Sequence, residues 1–363
     1  MSPRSRPRSA AKPADLTVRR RLQQHLTTTG LPRPEDVVEW FGAVQAQDYF
    51  GAVWAVGQRT RHGTQATIEA AINEGRIVRS WPMRGTIHLM RAHDVHWMME
   101  HFAPRVMRGL SGRQERHYGL DAAVRSRSRR IIIAALEGGR HVTRPALYRT
   151  LEQAGIPAAG QRGFHILARL ALEGLICFGP REGRQPTFAL LDEWVTGRDP
   201  KSRDEALGTL AERYFTSHGP ATRHDFAWWS GLTIRDATAA IHLAGRSLSE
   251  EKLKGVSYWC GTVRPRPRST PPELHLLPAF DEYGVAYRDR SAILPPRAGP
   301  GSVLVPTIVH RGVVAGTWTR SLQNGKVLLQ IRPFRPLPSA GQSNLEHAAE
   351  RYARFLGSPV TLR

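Results

Sequence analysis

A chain of 363 residues is long enough for about two to four compact units. Its 52 Lys and Arg against 31 Asp and Glu leave a net charge of +21, which favours a polyanionic partner, nucleic acid ahead of an anionic membrane surface. The 40% hydrophobic content supplies real cores, yet no apolar run reaches the roughly 18 residues of a membrane helix, so a soluble, cytoplasmic protein is expected. Only five of the basic residues are Lys, a bias that a GC-rich genome also produces, so the arginine count overstates selection for phosphate contacts.

Residues 1–14 are basic and rich in Pro and Ser, lack the apolar stretch of a secretory signal, and read as a disordered arm. Residues 15–90 open with helical patterns at 16–30 and 33–47, the second ending in "AVQAQ". A long apolar linker, "DYFGAVWAVGQRTRHG", leads to a helix at 64–76 and to two strands in "IVRSWPMRGTIHLM" (77–90). Three helices and a β-hairpin are the order of a winged helix. Residues 91–120 form a helical bridge. The order recurs in 121–198, with helices at 121–139, 142–155 and 161–174; Thr143 stands as N-cap, Pro145 in the first turn and Gly155 at the end. It recurs again in 199–263. From 264 to 363 a Pro/Arg linker gives way to four strand-like runs separated by turns such as "HRG" (310–312) and "QNG" (323–325), then a helix at 344–357. Fold class is therefore α+β: three tandem winged-helix motifs followed by an antiparallel, barrel-like domain.

Several residues are candidates for chemistry. Gln45 and Gln47 end an apolar helix-like run, where a buried amide needs partners. On a regular helix, residues two apart diverge by roughly 200°, so the helix must end or distort for both to reach one site; Tyr49-Phe50-Gly51 allows that. Asp48 follows directly. Arg84, Thr86 and His88 alternate onto one strand face beside Trp81, either lining a cleft or bracing the motif from inside. Asp281-Glu282 beside Tyr283 reads more readily as a holder of arginines than as an acid/base pair. His310 and Arg311 stand at a hairpin tip that suits a minor groove or a plain surface turn. Cys177 and Cys260 are far apart, and the fifteen histidines show no metal-ligand spacing; neither metal nor cofactor is expected.

Four stretches in order, "AVQAQDYFGAVWA", "RSWPMRGTIHLM", "LLPAFDEYGVAYRDR" and "VVAGTW", make the chain resemble the AlkZ/YcaQ-type winged-helix DNA glycosylases over essentially everything beyond the arm. The resemblance implies a C-shaped arrangement and removal of bulky alkylated purines, crosslinked ones included, in repair or in self-resistance to a DNA-alkylating natural product. It implies a catalytic Gln–apolar–Gln signature, matched by Gln45-Ala46-Gln47, where the other branch carries Gln–apolar–Asp. DNA contacts are then expected at Arg79, Arg84, His88, His310 and Arg311, with support from Asp48, Trp81, Thr86, Asp281 and Tyr283. The expected partner is double-stranded DNA carrying alkylated purines, bound by a nucleoid-associated monomer. A non-catalytic DNA-binding protein, a regulator or a lesion shield, is the alternative.

Overall fold

The computed structural model describes residues 13–110, 116–296, 298–323 and 326–363. Most of the expected arm, part of the bridge and the centre of the "QNG" turn lie outside the described residues. Helix α1 (Pro13–Gln23) opens the described chain, so the last two residues assigned to the arm are helical. A helix–strand–helix–helix–strand–strand order then runs twice. The first repeat is α2 (Pro34–Phe41), β1 (Val44–Gln45), α3 (Tyr49–Gly57), α4 (Gln65–Asn73), β2 (Ile77–Met83) and β3 (Thr86–Arg91). After α5 (Val95–Leu110), the second repeat is α6 (Ala122–Leu136), β4 (Val142–Thr143), α7 (Arg144–Gln153), α8 (Arg162–Leu172), β5 (Ile176–Phe178) and β6 (Thr187–Leu190). A third passage, α9 (Arg203–His218), α10 (Arg223–Ser230), α11 (Ile234–Ala244), β7 (Leu248–Leu253) and β8 (Val256–Gly261), keeps the order, with an isolated bridge from Ala221 to Trp259 where the first strand would be.

The apolar linker expected after the glutamines is helix α3, nearly all of it buried. Its apolar content comes from packing on several sides, which hides the one-sided periodicity by which an amphipathic helix is recognised. Side-chain caps mark α4, α6, α10 and α11. Thr222 accepts from the Asp225 amide at 3.1 Å while the Asp225 carboxylate accepts from the Thr222 amide at 2.9 Å, a reciprocal capping box.

The chain divides into two compact units. One holds Leu31–Leu207 with Phe355–Gly357, hence both complete repeats. Their hairpins do not stand apart as two wings but join in one six-stranded sheet, ordered β1-β3-β2-β5-β6-β4. The seam is β2 against β5, paired at Arg79 and Phe178, and the strand order on one side mirrors that on the other. Every residue of β2 is buried, as a strand central to the sheet requires.

The other unit holds the chain up to Gly30, Gly208–Arg354 and Ser358–Arg363. Helix α1, expected as the first helix of the first winged helix, belongs here. Arg20 donates to the Pro220 carbonyl at 3.0 Å and lies 3.9 Å from the Tyr287 ring centroid, and Gln24 donates to the Tyr287 hydroxyl at 3.1 Å. Periodicity shows that a helix has a face to bury and says nothing of its partner. The C-terminal strands β9 (Leu274–Leu277), β10 (Thr307–His310), β11 (Val313–Gln323), β12 (Lys326–Pro333) and β13 (Val360–Leu362) form a curled half-barrel in the order β13-β12-β11-β10-β9. It is antiparallel except for the parallel pair β12–β13, since the chain returns through helix α12 (Ser339–Leu356).

Candidate active site

Gln45 ends a strand, and Gln47 follows it in a bend. Helix α2 stops at Gly42, whose φ of 78° suits the residue without a side chain. The chain then runs extended, pairing Val44 with Leu89 and Gln45 with His88, and the Ala46 amide donates to the Ile87 carbonyl at 2.7 Å. The helical divergence expected of the pair does not arise, because neither residue is on a helix: Gln45, buried, ends the strand, and Gln47, exposed, lies in the bend that follows. Asp48, also exposed, precedes α3 as its N-cap residue.

The hairpin between β2 and β3 turns on Arg84 and Gly85, with φ of 56° and 72°. Positive values at both central residues are the signature of the tightest hairpin turn. The turn folds Arg84 back, and its guanidinium donates to Gln45 Oε1 at 3.0 Å and lies 3.4 Å from His88 Nε2. His88, fully buried, sets Nδ1 2.9 Å from the Thr86 carbonyl. A carbonyl only accepts and a guanidinium only donates, so Nδ1 carries the proton and Nε2 receives from Arg84. By the same logic the oxygen of Gln45, not its nitrogen, faces Arg84. The Gln47 oxygen lies 3.4 Å from the Ile87 amide, a long contact.

Arg79, expected on DNA, is buried and turned inward. Its guanidinium donates twice to the Ala46 carbonyl, at 3.2 and 3.0 Å, clamping the residue between the two glutamines. It lies 4.4 Å from the Phe178 ring centroid. Burial pushes its pKa down to about 10, which leaves it charged at neutral pH. The Tyr49 ring lies under the Arg181 guanidinium at 4.3 Å, and burial pushes the Tyr49 hydroxyl up to about 12.

Beside Gln47 the sheet face opens into a cleft of about 240 Å³. A row of stacked rings lines it: Trp81 on Phe178 at 4.9 Å between centroids, and Phe178 on Phe188 at 4.8 Å. Arg144, Tyr148 and Phe164 from the second repeat complete the wall. Sequence reasoning passed over Arg144, Tyr148 and Arg181. Nothing in their local pattern separates them from other exposed residues of a basic protein.

The remaining expected residues fall in the other unit. Asp281 caps the short helical turn Glu282–Val285 by accepting from the Tyr283 amide at 2.9 Å; the buried Tyr283 hydroxyl donates to the Gly312 carbonyl at 2.8 Å. His310 is half-buried at the end of β10, and the exposed Arg311 pairs with Glu273 at 3.1 Å. Among the described residues, no group of three His, Cys, Asp or Glu is placed to hold a metal ion, and no helix is long and apolar enough to cross a membrane.

Comparison with known proteins adds three findings. A family model described as DNA glycosylase AlkZ-like matches residues 38–355. An interstrand DNA cross-link repair glycosylase of Streptomyces sahachiroi is 25% identical over an alignment of 375 positions, covering 93% of this chain and 95% of that protein. The solved structure of Streptomyces sahachiroi DNA glycosylase AlkZ shares the fold, with a TM-score of 0.73 at 23% identity, covering 98% of this chain and 99% of that one.

Proposed function

This chain belongs to the AlkZ-like DNA glycosylase family, and from that premise we propose that it hydrolyses the N-glycosidic bond of cationic N7- or N3-alkylated purines in double-stranded DNA, at Gln45 and Gln47. The observation that carries the assignment is that both amide oxygens are turned to the same β2–β3 hairpin, Gln45 bound by Arg84 and the exposed Gln47 3.4 Å from the Ile87 amide. The alkylated purine already bears a positive charge and is a good leaving group. As its bond to C1′ breaks, the electron pair neutralises the purine and the sugar becomes cationic. Water then bonds to C1′ and loses a proton to solvent or to Asp48.

An oriented acceptor beside that cation is what the step requires. The Gln45 oxygen is held by Arg84, which fixes this buried amide beside the reacting centre. Gln47, exposed and only distantly contacted, is the residue whose oxygen receives the water's hydrogen. Neither amide titrates near neutrality, so kcat is expected to be flat from about pH 6 to 9.

We read the three recurrences of the helix–strand–helix–helix–strand–strand order as three winged helices, the first carrying the hydrolytic motif. Arg311 and His310, on a tight hairpin with φ of 49° at Arg311 and 90° at Gly312, are proposed to enter the minor groove, phosphate or base edges replacing Glu273. The relative's described action on interstrand crosslinks extends the proposed substrates to crosslinked purines. The protein acts as a monomer in the bacterial cytoplasm, without a cofactor, and leaves an abasic site.

Incubating the protein with duplex carrying a single N7-methylguanine, and measuring free base, tests this. Wild type releases base, and release is strongly slowed in Gln45→Ala and Gln47→Ala. A wild type that binds the duplex tightly without releasing base would leave a DNA-binding protein instead of an enzyme.

A further inference from the structure

The aromatic cleft beside Gln47 is not used by the hydrolysis just described. Resting on that reading, we propose that it is a specificity subsite for a neutral, planar aromatic substituent carried by the alkylated purine. The cleft is built where the two repeats meet. Trp81 and Phe178 come from the strands on either side of the seam and Phe188 from the next strand, while α7 and α8 bring up Arg144, Tyr148 and Phe164.

Size sets the class of occupant. A cavity of about 150 Å³ holds one benzene ring, and drug-sized ligands fill roughly 300–1,000 Å³. At about 240 Å³ the cleft suits one or two fused rings and is small for a nucleoside. Charge sets its chemistry. Two guanidiniums, Arg79 and Arg144, line the cleft, and no carboxylate does. The cationic purine is therefore repelled from it and remains at the glutamines, while a neutral ring bearing carbonyl or ether oxygens meets the exposed Arg144 at the rim and aromatic side chains on the wall. Gln47 lies on the lining, so an adduct seated here has its linkage to the purine beside the hydrolytic residue. Binding energy gathered by the appendage then holds the sugar in place, which raises kcat/KM for bulky adducts over small ones.

The test compares kcat/KM for duplexes carrying one N7-methylguanine or one N7-benzylguanine, in wild type and in Ala168→Trp, which fills the cleft from α8. Tyr148→Ala, which removes a wall without adding bulk, guards against misfolding of the first variant, and circular dichroism melts verify both. Wild type is expected to favour the benzyl adduct by roughly tenfold or more, and the benzyl-to-methyl ratio is expected to fall toward one in both variants. A wild-type ratio near one, or a ratio that neither variant lowers, overturns the subsite while methyl-adduct release keeps the glycosylase reading intact. Failure of wild type to release either base sinks that reading and the subsite with it. A third arm places 2-aminopurine next to the lesion. A fluorescence rise that Ala168→Trp abolishes would show an extruded nucleobase in the cleft and also overturn the proposal.

Discussion

The first and second repeats share an element order and a sheet, and they differ where the first short strand meets the next helix. In the second repeat β4 ends at Thr143 and α7 begins at Arg144, so strand and helix cap are one residue. In the third passage the bridged residue Ala221 is followed at once by Thr222, the cap of α10. In the first repeat β1 ends at Gln45 but α3 waits until Tyr49, with Asp48 as the cap residue. The intervening Ala46, Gln47 and Asp48 form a ledge that the other repeats lack. A scaffold thus gains a polar, partly exposed edge without disturbing its core, because Ala46 keeps its backbone hydrogen bond to Ile87 of β3 before the chain bends at Gln47 and Asp48.

Breaking the ledge should have the largest effect. Gln47→Ala is expected to lower kcat for base release by about 10²–10³-fold, the size of losing one aligned polar group at a developing charge, with duplex affinity within about threefold by fluorescence anisotropy. An unchanged kcat would mean that the ledge is not the difference that matters. Arg84→Ala removes the guanidinium that orients Gln45 and should cost roughly tenfold in kcat with little change in KM, since it acts through Gln45; partial recovery in Arg84→Lys would separate positioning from mere structure. The corresponding positions of the other repeats should affect stability only. Thr222→Ala loses a bonded cap and about 1 kcal/mol in urea denaturation, whereas Thr143→Ala, whose side chain makes no cap hydrogen bond, should cost a few tenths. Base release should stay within about twofold in both.

The smallest effect concerns Tyr49, first residue of α3, whose buried hydroxyl finds no hydrogen-bond partner among the described residues. Burial raises its folded pKa to about 12, while the unfolded hydroxyl ionises near 10. Its contribution is therefore fully present below about pH 10 and is lost as pH rises through 12. Tyr49→Phe should flatten the fall in stability between pH 9 and 11.5 and leave neutral-pH stability nearly unchanged; an identical alkaline slope would show that the hydroxyl ionises freely in the folded chain.

Helix ends were legible because Gly, Thr and Pro mark them by mechanism: Gly155 and Gly174 stand just past helices, with φ of 74° and 71°. The two-residue strands were not, since β1 and β4 are too short to show a period. That omission misplaced the motif. The periodicity predicts a helix through "FGAVQAQ" and a linker from "DYFGAVWAV" on, yet the stretch holds a helix end, a strand and a new helix, all buried enough to look alike. Gly42 was the signal that a break comes before the glutamines. Gln45 and Gln47 were legible through the resemblance and Arg84 and His88 through strand alternation, and the structure brings Gln45, Arg84 and His88 together. Arg79 was assigned to DNA because sequence does not distinguish an arginine facing solvent from one facing a backbone carbonyl.

Arg79 also makes the seam a gauge. It is the residue of β2 paired across to Phe178, and it is the donor to the Ala46 carbonyl. A slip of one residue along that strand would turn its side chain to the opposite face of the sheet and strip the carbonyl of both donors. One side chain thus ties the two together: the arginine that packs on Phe178 across the seam is the one that holds the residue between the glutamines.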